Sequence, residues 1–164
     1  MPDILLRLAA PQDAEQLAAV LTTLINDIPH YNALAKQHET SRYSPAALLT
    51  KINDDRYAVI IAHMGDAIVG FCLSRFDDYT IWLEWFGVIA ANRGKGITRQ
   101  LLNKLEESVA ERSCHKIWCD CRTTNQAAIH LLTGAGYAQL ATIRNHWYGQ
   151  DFILWEKFTG ERKQ

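Results

Sequence analysis

The stretch from Val88 to Leu102, VIAANRGKGITRQLL, constrains the fold more than any other part of the chain. An apolar run ends there, and a turn carrying Arg93, Gly94, Lys95 and Gly96 follows. Ile97, Leu101, Leu102, Leu105 and Val109 then trace one helical face. A strand therefore hands over to a helix through a glycine-rich, cationic turn. Downstream, HKIWCDC reads as a further strand, so Thr80 to Cys121 forms one strand–helix–strand crossover, expected to be right-handed. Helix N-termini present unpaired N–H groups and partial positive charge. Glycine lets the main chain close around an anion where a Cβ would clash. The turn reads either as a phosphate cradle or as an ordinary connection that uses glycine for positive φ.

Two familiar cradles fail on spacing. A P-loop needs G-x-x-x-x-G-K-[ST], but Gly87 lies too far upstream and Gly96 stands where Ser or Thr should hold magnesium. A dinucleotide fingerprint needs glycine where Arg99 stands.

The remaining segments complete a mixed pattern. Asp3 to Leu8 reads as a strand. Ala14, Leu17, Ala18, Leu21, Leu24, Ile25 and Ile28 have helical spacing, ended by Pro29. The polar segment PHYNALAKQHETSRY reads as a loop. Ser44 caps a short helix with Pro45 at its first position. Two β-rich runs flank Gly65-Asp66, and a second turn at Asp77-Asp78 leads into YTIWLEWFGV, which is apolar on both faces and so expected to be central. A short helix, TNQAAIHLLTGAGY, and two strands around Tyr148-Gly149 finish the chain. The expected order is β-α-α-β-β-β-α-β-α-β-β: one α+β domain over residues 1–164, with about seven strands and four helices.

From Trp82 to about Phe158 the chain resembles the GNAT superfamily of acetyl-CoA-dependent N-acetyltransferases. The family's pyrophosphate loop, roughly [Q/R]-x-x-G-x-[G/A], corresponds to Ala91-Asn92-Arg93-Gly94-Lys95-Gly96. Its later block, an Asn opening a short helix that ends in a Gly-aromatic pair, corresponds to Asn125 through Tyr137. The resemblance implies a mostly antiparallel mixed sheet and acetyl transfer to a primary amine, by direct attack in a ternary complex. It also implies acetyl-CoA as co-substrate and no metal. Pantetheine would run along Phe86 to Ile89, with the main chain at Val88 holding the thioester carbonyl. Arg93, Gly94, Lys95, Gly96, Ile97 and Thr98 would hold the pyrophosphate, and Asn125 the pantetheine. Two positions depart from the family. Ala91 replaces Gln or Arg, and Leu132 replaces the tyrosine that often protonates the leaving thiolate. They motivate an alternative, an acetyl-CoA-binding sensor without turnover. A homodimer is common in the family, and nothing in this sequence fixes one.

An attacking amine must be neutral, whereas an alkyl ammonium has a pKa of about 10. A carboxylate that takes its proton removes that obstacle. Glu84, in an otherwise apolar strand, is the candidate base. Strict alternation would put it on one face with Trp82, Phe86 and Val88. Its other reading is an ion pair with Arg75 or Arg122. Tyr148, His146, Tyr137 or water could supply a proton, with Tyr148 preferred and Tyr137 expected in the core. A small-molecule acceptor is favoured over a protein amine.

Composition excludes other classes. The formal charge is −1 and the pI about 6.6, without the basic excess of a nucleic-acid binder. No apolar run reaches membrane-spanning length, and MPDILLRLAAPQD lacks the features of a signal peptide, so a cytoplasmic protein is expected. Cys119 and Cys121 are spaced C-x-C on a strand and read as small core residues, not as a zinc or redox pair.

Overall fold

The computed structural model describes residues 3–160. β1 (Ile4–Leu8), β2 (Val59–Met64), β3 (Ala67–Asp77), β4 (Thr80–Val88), β5 (Lys116–Arg122), β6 (Ala138–Ile143) and β7 (Phe152–Phe158) form a sheet in the order β1-β2-β3-β4-β5-β7-β6. Every neighbouring pair is antiparallel except β4–β5. β4 is thus the middle strand, as its two-sided apolar pattern required.

The helices are α1 (Ala14–Asp27), α2 (Ala33–Arg42), α3 (Pro45–Asp54), α4 (Ile97–Glu111) and α5 (Gln126–Gly134). α2 corrects the reading of that segment as a loop and raises the number of α-helices among the described residues to five, against the four expected. Asn32 caps it by accepting the Ala35 N–H, and the residues it buries, Ala35 and Glu39, are spaced by one turn. Its exposed face is polar enough to hide that narrow stripe. Ser44 caps α3 as expected, accepting the Ala47 N–H at 3.2 Å.

Two apolar layers sandwich the sheet. Leu101, Leu102, Leu105 and Val109 of α4 pack with Ile60, Val69, Cys72, Ile81, Leu83, Ile117 and Cys119. Leu17, Leu21, Leu24 and Ile25 of α1 pack with Leu48, Ile52, Ile61, Phe71 and Leu73 on the other face. Each fully buried leucine contributes about 1.5–3 kcal/mol relative to exposure. Cys119 and Cys121 are core residues, and Trp155 Nε1–H donates to the Cys121 Sγ at 3.3 Å. Tyr137 is buried as expected.

Strict alternation fails in β4. Leu73 pairs with Trp85 and Ser74 with Leu83, so Glu84 is the extra residue of a bulge. Phe86 and Val88 therefore join Ile81 and Leu83 on the α4 side. Trp85 and Gly87 pack on the α1 side, where Gly87 lies against Leu24 and Phe71. Glu84 reaches Lys51 of α3, so it does not share a face with Phe86 and Val88.

Candidate active site

The bulge coincides with a gap in the sheet. β4 and β5 are in parallel register only at Ile81–Ile117 and Trp82–Trp118. Beyond these pairs the two strands no longer bond to each other. On its other side, β4 stays bonded to β3 up to Val88, and the Ile89 N–H donates to Val69 O. In an antiparallel ladder alternate residues turn their main-chain groups away from the partner. Ile89 faces β3, so Val88 and Phe86 turn theirs toward the gap. The edge expected to meet pantetheine is therefore free of β5.

The glycine turn lies at the end of that edge. A short 3-10 turn, Ala90–Asn92, leads into Gly94 (φ +77°) and Gly96 (φ +74°), and Gly96 caps α4 in the left-handed conformation. No atom stands within 4 Å of a Cβ built on either glycine. Glycine is required here by φ alone, and the space above the turn is open. The N–H groups of Ile97, Thr98 and Arg99 have no intrahelical acceptor. Val88, Asn92, Arg93, Gly94, Gly96, Ile97, Thr98 and Leu131 line a hollow at this helix end. Lys95 is exposed beside it, while the Ile97 side chain is buried and only its main chain is available. Arg93 donates from Nε to Val88 O at 3.1 Å, holding its charge between the turn and the strand edge. Asn125 caps α5, its Oδ1 accepting the Ala128 N–H, so only its amide nitrogen is left to reach a ligand. Leu132 is fully buried in the α4-side core.

The far end of the gap is built from side chains. Glu84 meets Lys51 Nζ at 3.1 Å, Arg75 Nη1 at 3.8 Å and the Tyr43 hydroxyl at 3.5 Å. Arg75 is thus one of its partners, as its ion-pair reading held, and Arg122 is not. Burial, reinforced by Glu84 and Glu39, pushes the Tyr43 phenol well above its usual range. Glu84, Tyr43, Arg42 and Lys51 line a cleft of about 230 Å³.

Glu39 on α2 is buried and was invisible in the sequence. It accepts from Tyr148 Oη at 2.5 Å and Trp85 Nε1 at 3.2 Å, and Arg42 Nη1 stands 3.7 Å away. Tyr148 has φ +56° in the β6–β7 connection, and its carbonyl accepts from Asn32 Nδ2. Burial, then the bond to Glu39, pushes its phenol up to about 12. His146 packs against Trp147, the rings tilted by 50° with their centroids 4.3 Å apart.

Asp120 and Arg122 are a further pair that sequence reading missed. Both lie on the face of β5 opposite Cys119 and Cys121. Burial raises the Asp120 pKa, opposed by a hydrogen bond from Trp147 Nε1 at 2.7 Å. Arg122 is 6% exposed, and its guanidinium stacks 3.7 Å from the Tyr31 ring centroid. The C-x-C pattern carried a usable signal: if the cysteines face the core, the residues between and after them face the other way.

The site is therefore a gap with a cradle of unpaired main-chain N–H groups at one end and a carboxylate- and arginine-rich cluster at the other. Residues 22–137 match the model of the acetyltransferase (GNAT) family, and the chain belongs to that family. Solved structures share the fold. PaiA N-acetyltransferase from Thermoplasma acidophilum, in complex with coenzyme A, superposes with a TM-score of 0.81 at 16% identity, covering 95% of this chain and 99% of that one. Ribosomal-protein-alanine N-acetyltransferase from Brucella melitensis gives 0.74 at 23%, covering 94% and 99%. YncA from Salmonella typhimurium, with its cofactor acetyl-CoA, gives 0.73 at 18%, covering 98% and 96%. Among the described residues no helix is long and apolar enough to cross a membrane.

Proposed function

We propose that the protein transfers the acetyl group of acetyl-CoA to a primary amine of a small molecule, by direct attack in a ternary complex. One observation carries this reading: the β4–β5 gap, which turns the main-chain groups of Phe86 and Val88 toward open space and ends at the Gly94–Gly96 turn. The amides from Gly94 to Thr98, with Arg93 and Lys95, hold the diphosphate. Phe86 and Val88 pair with pantetheine, and a Val88 main-chain contact polarises the thioester carbonyl. Asn125 meets the pantetheine through its amide nitrogen. Arg93 leaves Val88 O for the phosphate when the coenzyme arrives.

Glu84 takes the proton from the incoming ammonium, directly or through water. Lys51 at 3.1 Å and Arg75 at 3.8 Å hold its carboxylate in place, and an incoming ammonium would have to share it with them. A specific observation favours Asp120 as a second reading for the base: burial makes it more basic than an ordinary carboxylate. Tyr148 returns a proton to the departing sulfur. A phenol near 12 stays protonated through neutral pH but gives its proton to a thiolate uphill, so its contribution is small.

Calorimetry with acetyl-CoA and thiol release with a panel of small amines test the reading together. Binding with turnover of at least one amine supports it. Binding without turnover of any amine supports the sensor alternative that Ala91 and Leu132 motivate, and absence of binding removes both.

A further inference from the structure

Arg122 is a buried cation with unfinished hydrogen bonding. Its Nε donates to Gln150 Oε1 at 2.6 Å, and Gln150 Nε2 in turn donates to His30 O at 2.9 Å. Its Cζ lies 3.7 Å from the ring centroid of Tyr31 and 5.0 Å from that of Phe152. The guanidinium is therefore held by Gln150 and two aromatic rings. Nη2 is buried with no partner, and among the described residues Arg122 forms no salt bridge. A guanidinium this deep normally meets a carboxylate or carbonyl that takes up its free N–H groups. Tyr31 also packs edge-on to Trp85 of β4, with centroids 5.9 Å apart, so Arg122 belongs to the roofed end of the β4–β5 gap.

Asp120 lies two residues earlier on the same strand and face, about 7 Å away along the chain. Parallel side chains of opposite sign at that spacing match a small molecule that carries an ammonium and a carboxylate close together. Glu39, whose charge is felt at both Asp120 and Tyr31, adds to the negative charge of this wall. A polyamine would instead find a guanidinium on this wall.

We propose that the acceptor is a free α-amino acid, whose carboxylate binds Arg122 Nη2 while its amine is held at Asp120 beside the thioester. The proposal rests on the acetyltransferase reading above and narrows its substrate class. The carboxylate reaches Nη2 when the connector carrying Tyr31 lifts. That connector is tied down by two hydrogen bonds, the exposed Asn32–Tyr148 bond and the part-buried His30–Gln150 bond.

The test is thiol release from acetyl-CoA with matched pairs: L-leucine against L-leucinamide, and L-phenylalanine against L-phenylalaninamide. The amide has the more acidic amine and so more of the neutral nucleophile at pH 7.5, which biases the comparison against the proposal. We expect kcat/KM to favour the free acids at least tenfold, mainly through KM. Arg122→Met should bring the ratio to about one or below, and Arg122→Lys should restore part of it. A purely structural role for Arg122 would lower both rates together and leave the ratio unchanged, overturning the proposal. Equal or faster turnover of the amides by the wild-type protein would also overturn it, even if the variants failed to fold, and would leave the acetyltransferase reading standing. Turnover of no amine, with acetyl-CoA still bound, would remove that reading and the proposal with it.

Discussion

At one end of the β4–β5 gap the chain offers main chain, and at the other it offers side chains. The cradle end comes from one continuous segment, Phe86 to Thr98, in which two positive-φ glycines aim amides into an open hollow. The acceptor end is assembled from five distant segments: Tyr31, Glu39 to Lys51, Glu84, Asp120 to Arg122, and Trp147 to Gln150. A cradle of unpaired amides offers donors to any anion, because its groups are main chain. A cluster of charged side chains is specific to one ligand. The two ends should therefore respond differently to substitution.

The largest effect belongs to the cradle. The double variant Gly94→Val, Gly96→Val places β-branched residues where φ is +77° and +74°, each disfavoured by about 1–2 kcal/mol. It should lower acetyl-CoA affinity at least a hundredfold by calorimetry, with the far-ultraviolet spectrum retained. Near-wild-type affinity would break the contrast between the two ends.

At the acceptor end, affinity for acetyl-CoA should hold while turnover falls. Removing the true base should reduce kcat/KM about a hundredfold. Glu84→Gln and Asp120→Asn, each measured from pH 5.5 to 9, separate the two candidates, because loss of the base lowers kcat/KM most at low pH, where the amine is most protonated, whereas loss of the other carboxylate leaves the shape of the profile unchanged. Asp120 also carries a stability signature. Its folded pKa is raised, so the folded state binds more protons than the unfolded one. The resulting penalty is absent below the unfolded value of about 3.9 and accumulates as pH rises through the folded pKa. Asp120→Asn should therefore raise Tm at pH 7.5 and lose that advantage near pH 3.5. Glu84→Gln should lower Tm at pH 7.5, because it leaves Lys51 without its 3.1 Å partner.

The smallest effect is expected at Tyr148. Tyr148→Phe removes the bond to Glu39 and a proton donor that works uphill, so kcat should fall about three- to tenfold. A loss as large as that of the base variant would make Tyr148 an obligate acid and sharpen its assignment.

The same contrast governs what was legible in the sequence. The cradle is local: glycine spacing, flanking cations and the switch from strand to helix pattern all lie within fifteen residues. The central place of β4 followed from its two-sided apolarity, and the cap of α3 from Ser44. The acceptor end depends on contacts far apart in sequence, such as Glu39 with Tyr148. Nothing in PHYNALAKQHETSRY marks Glu39 as the buried residue of an otherwise polar helix. The bulge at Glu84 was hidden for another reason: a bulge adds one residue without altering composition, so alternation alone carried Phe86 and Val88 to the wrong face.

A crystal structure of the protein with acetyl-CoA tests the central claim most directly. It should show diphosphate oxygens within hydrogen-bonding distance of the main-chain N–H groups from Gly94 to Thr98, and pantetheine extended along Phe86 and Val88 in the gap left by β5. A coenzyme bound away from that turn, or β4 and β5 zipped together beneath it, would contradict the account.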